Sequence, residues 1–128
     1  MSNSRPLAKR LQNLEILVVE DEIMLFFLAE DMLMELGFTR IKHASRVDDA
    51  LEFLADSRPD LAMLDVNLAG EFAYPIAEKL AAIDVPFFFA TGYGADGLPR
   101  YLASRPVVQK PFTIQTLNQA IADVLRLD

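Results

Sequence analysis

Four short apolar runs, each ending on a polar or charged side chain, limit what this chain can fold into. Ile16-Leu17-Val18-Val19 runs into Glu20-Asp21-Glu22, Leu61-Ala62-Met63-Leu64 into Asp65, residues 85–90 into Thr91, and Val107-Val108-Gln109 into Lys110. Runs of this kind read as strands buried on both faces, which is the habit of parallel sheets covered by helices. Open sheets of that class hold ligands outside the carboxyl ends of their strands. The four runs therefore bring a carboxylate pair, a lone aspartate, a hydroxyl and a lysine to one rim. Two carboxylates about 4 Å apart repel by about 4 kcal/mol at an effective dielectric of 20. Such a cluster beside a lysine suits a divalent metal and a phosphoryl group better than it suits a core.

The intervening segments supply helices and one more strand. Residues 15–21 form the first strand, and a helix follows to about Leu36, stopped by Gly37 at its C′ position. Residues 40–44 are a short second strand. Ser45 opens a capping box with Asp48, and Val47, Ala50, Leu51 and Leu54 make a buried stripe. After the Asp65 strand, residues 67–72 read as a loop. Pro75 suits a helix start, with Ile76, Leu80 and Ile83 facing inward. The glycines and proline of residues 92–99 leave only a short helix over 99–104. The last helix begins at a Thr113 cap and buries Ile114, Leu117, Ile121, Val124 and Leu125. Strands and helices alternate five times, giving an α/β fold: a doubly wound, five-stranded parallel sheet with helices on both faces.

Within the first helix two apolar stripes compete. Leu25, Leu28, Ala29, Met32 and Leu36 are expected to face the sheet. Ile23, Phe27 and Met34, with Phe26 alongside, form a second stripe left for a partner. Met24, Met32, Met34 and Met63 read as core filling. His43, the sole histidine, lies mid-strand with no partner in reach and reads as structural.

The 128 residues make one domain, 14–128, after a solvated basic lead-in, 1–13. A hydrophobic content of 52% and a mean hydropathy of +0.22 support a large core. No run reaches the roughly 18 apolar residues of a membrane span, and no signal peptide opens the chain. The absence of cysteine excludes disulfides and thiolate metal sites and fits a cytoplasmic protein. A net charge of −7 argues against a nucleic-acid partner, and a monomer is expected.

Glu20-Asp21, Asp65, Thr91 and Lys110-Pro111, in that order and with 44 residues from Asp21 to Asp65, resemble the receiver domain of bacterial two-component response regulators. The resemblance covers essentially all of residues 14–127. Asn67-Leu68-Ala69-Gly70-Glu71 and Phe89-Ala90-Thr91-Gly92-Tyr93-Gly94 further resemble single-domain receivers with a Phe-Ala-Thr-Gly loop, often paired with HWE-type histidine kinases. The resemblance implies a flavodoxin-like receiver fold. It implies that Asp65 accepts a phosphoryl group from a histidine kinase or a histidine phosphotransfer protein. Asp21, Asp65 and the Asn67 backbone carbonyl would hold Mg²⁺, with Glu20 reaching the ion through water. Lys110 would pair with a phosphoryl oxygen, its bond to Pro111 would be cis, and Thr91 would be the switch hydroxyl. The first helix, through Ile23, Phe26 and Phe27 beside Asp21, would be the kinase-docking surface. Such a protein catalyses only its own phosphorylation and dephosphorylation, and passes on or drains phosphoryl groups. With no room for an output domain after Asp128, a stand-alone receiver is expected.

Two departures from the family pattern stand out. Val107 occupies the position three before Lys110 where an aromatic switch residue is usual, leaving Tyr93 as its substitute. Residues 92–98 form a flexible loop in place of a firmer helix. Two other function classes fit less well. A haloacid-dehalogenase-like phosphohydrolase needs a second aspartate two residues after the first, where Asn67 stands. A flavin or nucleotide binder needs a glycine-rich turn where the first strand instead runs into Glu20-Asp21-Glu22.

Overall fold

The computed structural model describes residues 10–92 and 98–126. In chain order these form β1 (Glu15–Val19), α1 (Ile23–Leu36), β2 (Arg40–Ala44), α2 (Val47–Asp56), β3 (Leu61–Asp65), β4 (Asn67–Leu68), β5 (Glu71–Phe72), α3 (Tyr74–Ala82), β6 (Phe87–Thr91), a 3₁₀ turn (Arg100–Leu102), β7 (Val107–Gln109) and α4 (Ile114–Leu125). Five strands make one parallel sheet in the order β2-β1-β3-β6-β7. From β1 the chain steps outward to β2, then returns across β1 to β3. The direction of winding thus reverses between β1 and β3, and a crevice opens outside their carboxyl ends.

Alternation along the strands divides the interior into two cores. Leu17, Val19, Ala62, Leu64, Phe87 and Phe89 point to one face, where Val47, Ala50 and Leu54 of α2 and Ile76, Ala77 and Leu80 of α3 cover them. Ile16, Val18, Leu61, Met63, Phe88 and Ala90 point to the other, under Phe26, Ala29 and Leu33 of α1 and Leu117 and Ile121 of α4. A strand covered on both sides has no position for a polar residue until it leaves the sheet. That is why the polar side chains collect at the strand ends. Leu11 of the lead-in is buried in the second core, and the Thr39 hydroxyl donates to the Gln12 carbonyl at 2.7 Å.

Several local expectations are corrected. On α1 the buried residues are Phe26, Ala29 and Leu33, while Leu25, Met32 and Leu36 are half-buried and Leu28 is exposed. The helix is apolar on nearly every side, so periodicity did not single out a face. Met24 (73% exposed) and Met34 (58%) are surface residues and fill no core. At the start of α2, Arg46 is the N-cap without a side-chain bond, and the Ser45 hydroxyl donates to Asp49 at 3.4 Å instead of forming a box with Asp48. The supposed loop 67–72 contains the antiparallel hairpin β4–β5. Its two-residue turn has positive φ at both Ala69 (54°) and Gly70 (93°), the geometry that matches strand twist in a tight hairpin. β1 ends at Val19, two residues before the expected end. β6 runs Phe87–Thr91 instead of 85–90, since Pro86 has no amide hydrogen to give the ladder. The segment 99–104 condenses to the 3₁₀ turn. Ile83 is the half-buried C-cap of α3. Thr113 caps α4 as expected, in a reciprocal box with Thr116.

Candidate functional site

Each proposed site residue sits at, or within two residues of, the carboxyl end of its strand. Asp65 is the last residue of β3 and Thr91 the last of β6. Glu20 and Asp21 follow β1, and Lys110 follows β7. Parallel registers hold these ends level: Val19 lies beside Leu64, Asp65 beside Ala90, and Thr91 beside Gln109. The Lys110 amide donates to the Thr91 carbonyl at 2.8 Å, extending the β6–β7 ladder to the lysine itself. Its peptide bond to Pro111 is cis.

With neighbouring strands about 4.8 Å apart, β7 lies roughly 10 Å from β3, and only a long side chain spans that gap. Lys110 does so. Its Nζ donates to Asp65 Oδ2 at 3.1 Å and continues to Glu20 Oε1 at 2.9 Å. The other Glu20 oxygen, Oε2, accepts from the Glu22 amide at 3.1 Å. Glu20 is thus held at both oxygens and is only 5% exposed. Asp65 Oδ1 lies 3.4 Å from the Asn67 amide, and Asn67 Oδ1 accepts from the Gly70 amide at 2.9 Å, tying the β4–β5 hairpin to the rim.

The electrostatics of the rim are those of a cation site with an anion partner. Burial raises the Glu20 carboxyl above its ordinary value, and the Asp65 charge adds to this, against the opposing pull of Lys110 and the Glu22 amide. Burial alone would lower the Lys110 ammonium, but its bonds to Glu20 and Asp65 and their charges outweigh that and hold it above the usual lysine value. Glu20, Asp21 and Asp65 each offer an oxygen within 4.8 Å of the others. Three carboxylates against one ammonium leave an excess of two negative charges. The donors are hard oxygens, few in number, which fits Mg²⁺, an ion that takes about six oxygens and keeps several as water.

Thr91 is buried at the rim. Asn67 is exposed on β4, two residues beyond Asp65. Val107 opens β7 half-buried against the first core. Tyr93 and most of the loop 92–98 lie outside the described residues. His43 was missed as a neighbour of the site. Its Nε2 lies 2.8 Å from the Glu20 carbonyl, and its ring stacks on Phe26 with centroids 3.9 Å apart and planes 12° from parallel. The sequence signal lay in the register: β1 and β2 pair Val18 with His43, which leaves the histidine one step from the acidic residues.

Comparison with known proteins agrees with this geometry. Solved structures that superpose well include SdrG from Sphingomonas melonis Fr1, 43% identical with a TM-score of 0.78, covering 88% of this chain and 96% of that one. The receiver domain of a sensor histidine kinase from Pseudomonas aeruginosa PAO1, which holds a magnesium ion in its active-site cleft, has a TM-score of 0.73 over 88% of this chain and 98% of its own. At 24% identity it shows the fold alone. Among curated relatives, the sensory transduction protein LytT of Bacillus subtilis is 31% identical over 84% of this chain. The match covers 46% of LytT, so the chain spans about half the length of the curated relatives of this kind. The family match leaves the phosphohydrolase alternative without support. No helix among the described residues is long and apolar enough to cross a membrane. Residues 16–122 match the model of the response regulator receiver domain, and the chain belongs to that family of two-component signalling modules.

Proposed function

We propose that Asp65 accepts a phosphoryl group from the phosphohistidine of a histidine kinase, including the HWE type, or of a histidine phosphotransfer protein. Receiver domains are signalling modules and not enzymes in the ordinary sense; this one would catalyse only its own phosphorylation and dephosphorylation. The observation that carries the reading is the Asp65 carboxylate, bonded to the Lys110 ammonium at 3.1 Å and grouped with Glu20 and Asp21 at the winding reversal of the sheet. An Asp65 oxygen attacks phosphorus in line, an O–P bond forms, and the N–P bond breaks with its electron pair returning to the imidazole. Lys110 stays charged and exchanges a carboxylate oxygen for a phosphoryl oxygen. The Thr91 hydroxyl, at the next strand end, reports the change by donating to the phosphoryl group. Asp21, Asp65 and the Asn67 carbonyl, with Glu20 beside them, would hold Mg²⁺. Bound there, the ion supplies the positive charge that a loose phosphoryl-transfer transition state calls for.

In this reading the kinase docks on α1, and the support is that Ile23, Met24, Phe27 and Leu28 are exposed together just after Asp21. Phe26 drops out of that surface, being buried. Action as a stand-alone, cytoplasmic, monomeric receiver, with 14–128 as the domain, is part of the proposal. The stand-alone part is supported by the Sphingomonas structure, of which the match covers 96%. The test is incubation with acetyl phosphate and Mg²⁺ followed by intact mass. The wild type gains one phosphoryl mass, and Asp65→Asn gains none while keeping its thermal transition. Labelling of the variant at the wild-type rate would show that Asp65 is not the acceptor.

A further inference from the structure

The β1–β2 ladder runs one residue past the end of β1: the Glu20 amide donates to the Ala44 carbonyl at 3.0 Å. The Glu20 carbonyl then has no strand partner to meet, because β2 ends at Ala44 and the chain turns into α2. His43 meets it. A carbonyl oxygen can only accept, so Nε2 carries the proton in the 2.8 Å contact. The ring is fixed by its stack on Phe26, whose own amide donates to the Glu22 carbonyl at 3.0 Å in the first turn of α1. One imidazole therefore joins three pieces: the end of β2, the peptide between Glu20 and Asp21, and the turn that carries the chain from the acidic residues into α1.

We infer that His43 is a positioning residue for the acidic loop, holding the Glu20–Asp21 peptide so that both carboxylates stay at the rim. The inference rests on the metal-dependent reading of that rim. His43 touches no reacting atom. Its two contacts can be removed separately. His43→Phe keeps an aromatic face for Phe26 and removes the donor. His43→Gln places an amide N–H at the same number of bonds from the backbone and removes the stack.

The test measures the Mg²⁺ dissociation constant by calorimetric titration, the acetyl phosphate labelling rate, and the melting temperature in EDTA, for wild type and both variants. His43→Phe weakens Mg²⁺ binding about fivefold and slows labelling at sub-saturating Mg²⁺, with a melting temperature in EDTA close to wild type. His43→Gln recovers most of the affinity. Wild-type affinity in His43→Phe, or a loss in His43→Gln as large as in His43→Phe, overturns the inference while leaving the metal site standing. A wild type that neither binds Mg²⁺ nor takes the label overturns the reading of the rim, and the role of His43 with it.

Discussion

Lys110→Met keeps the aliphatic stem of the side chain and deletes the charge that bridges β7 to β3 and β1. The ammonium makes bonds of 2.9 Å to Glu20 and 3.1 Å to Asp65, and the three side chains are only 18%, 7% and 12% exposed. Removing one partner of a fully buried ion pair costs about 3–5 kcal/mol, because a charge is left behind without compensation. The residual exposure lowers that to about 2–4 kcal/mol for the metal-free protein near neutral pH. For a domain of this size the melting temperature should drop by about 10 °C in EDTA. Mg²⁺ should narrow the gap, since the variant presents the same carboxylates with no ammonium competing for them. The pH dependence has a definite sign. Glu20 already titrates above its ordinary value of 4.5, and without Lys110 it titrates higher still. A group whose folded pKa is raised gives up stability as pH climbs through that value, so the deficit of the variant should be largest above it and shrink toward about pH 4.5. Melting curves followed by circular dichroism, in EDTA and in saturating Mg²⁺ across that range, check all three statements. Coincident wild-type and variant curves in EDTA, or a gap that Mg²⁺ widens, would refute the reasoning.

Mg²⁺ itself should stabilise the wild type by about 2.7 kcal/mol at a free concentration 100 times its dissociation constant. A melting temperature indifferent to tens of millimolar metal would count against the site. Glu20→Gln should flatten the dependence of the metal-free melting temperature on pH, because the carboxyl whose pKa is raised no longer titrates; a pH profile identical to that of the wild type would contradict this. Ile23→Ser with Phe27→Ser should slow transfer from the cognate kinase at least tenfold while acetyl phosphate still labels Asp65, since both residues are about half exposed and each docked side chain contributes about 1.5–3 kcal/mol. Loss of both routes together with the thermal transition would make those residues part of the core.

The sheet was legible because its strands are covered on both faces, and that demand leaves a strong mark: Phe87, Phe88 and Phe89 in succession have no other home. The face of α1 was not legible. Where nearly every side of a helix is apolar, periodicity offers several solutions of equal quality. The one adopted follows from long-range packing of Phe26 and Leu33 into the second core. The β4–β5 hairpin was hidden for a different reason. Its turn requires positive φ at two successive residues, and Ala69 is a side chain that pattern reading does not associate with that conformation.

The rim shows the same division more sharply. That Glu20, Asp21, Asp65, Thr91 and Lys110 come together follows from strand order, since each closes or follows a strand of one parallel sheet. Which of them touch depends on side-chain length against strand spacing. Lys110 must cross β6 to reach β3 and β3 to reach β1. It meets Glu20 because glutamate carries one methylene more than aspartate and can turn its carboxylate back toward the lysine while the Glu22 amide holds the other oxygen. An aspartate at position 20 would have a shorter reach in both directions. The glutamate therefore gives Lys110 a second carboxylate beside that of Asp65. By the same logic His43 enters the site from outside the motif, since register places it beside Val18 and the side chain covers the remaining step to the Glu20 carbonyl.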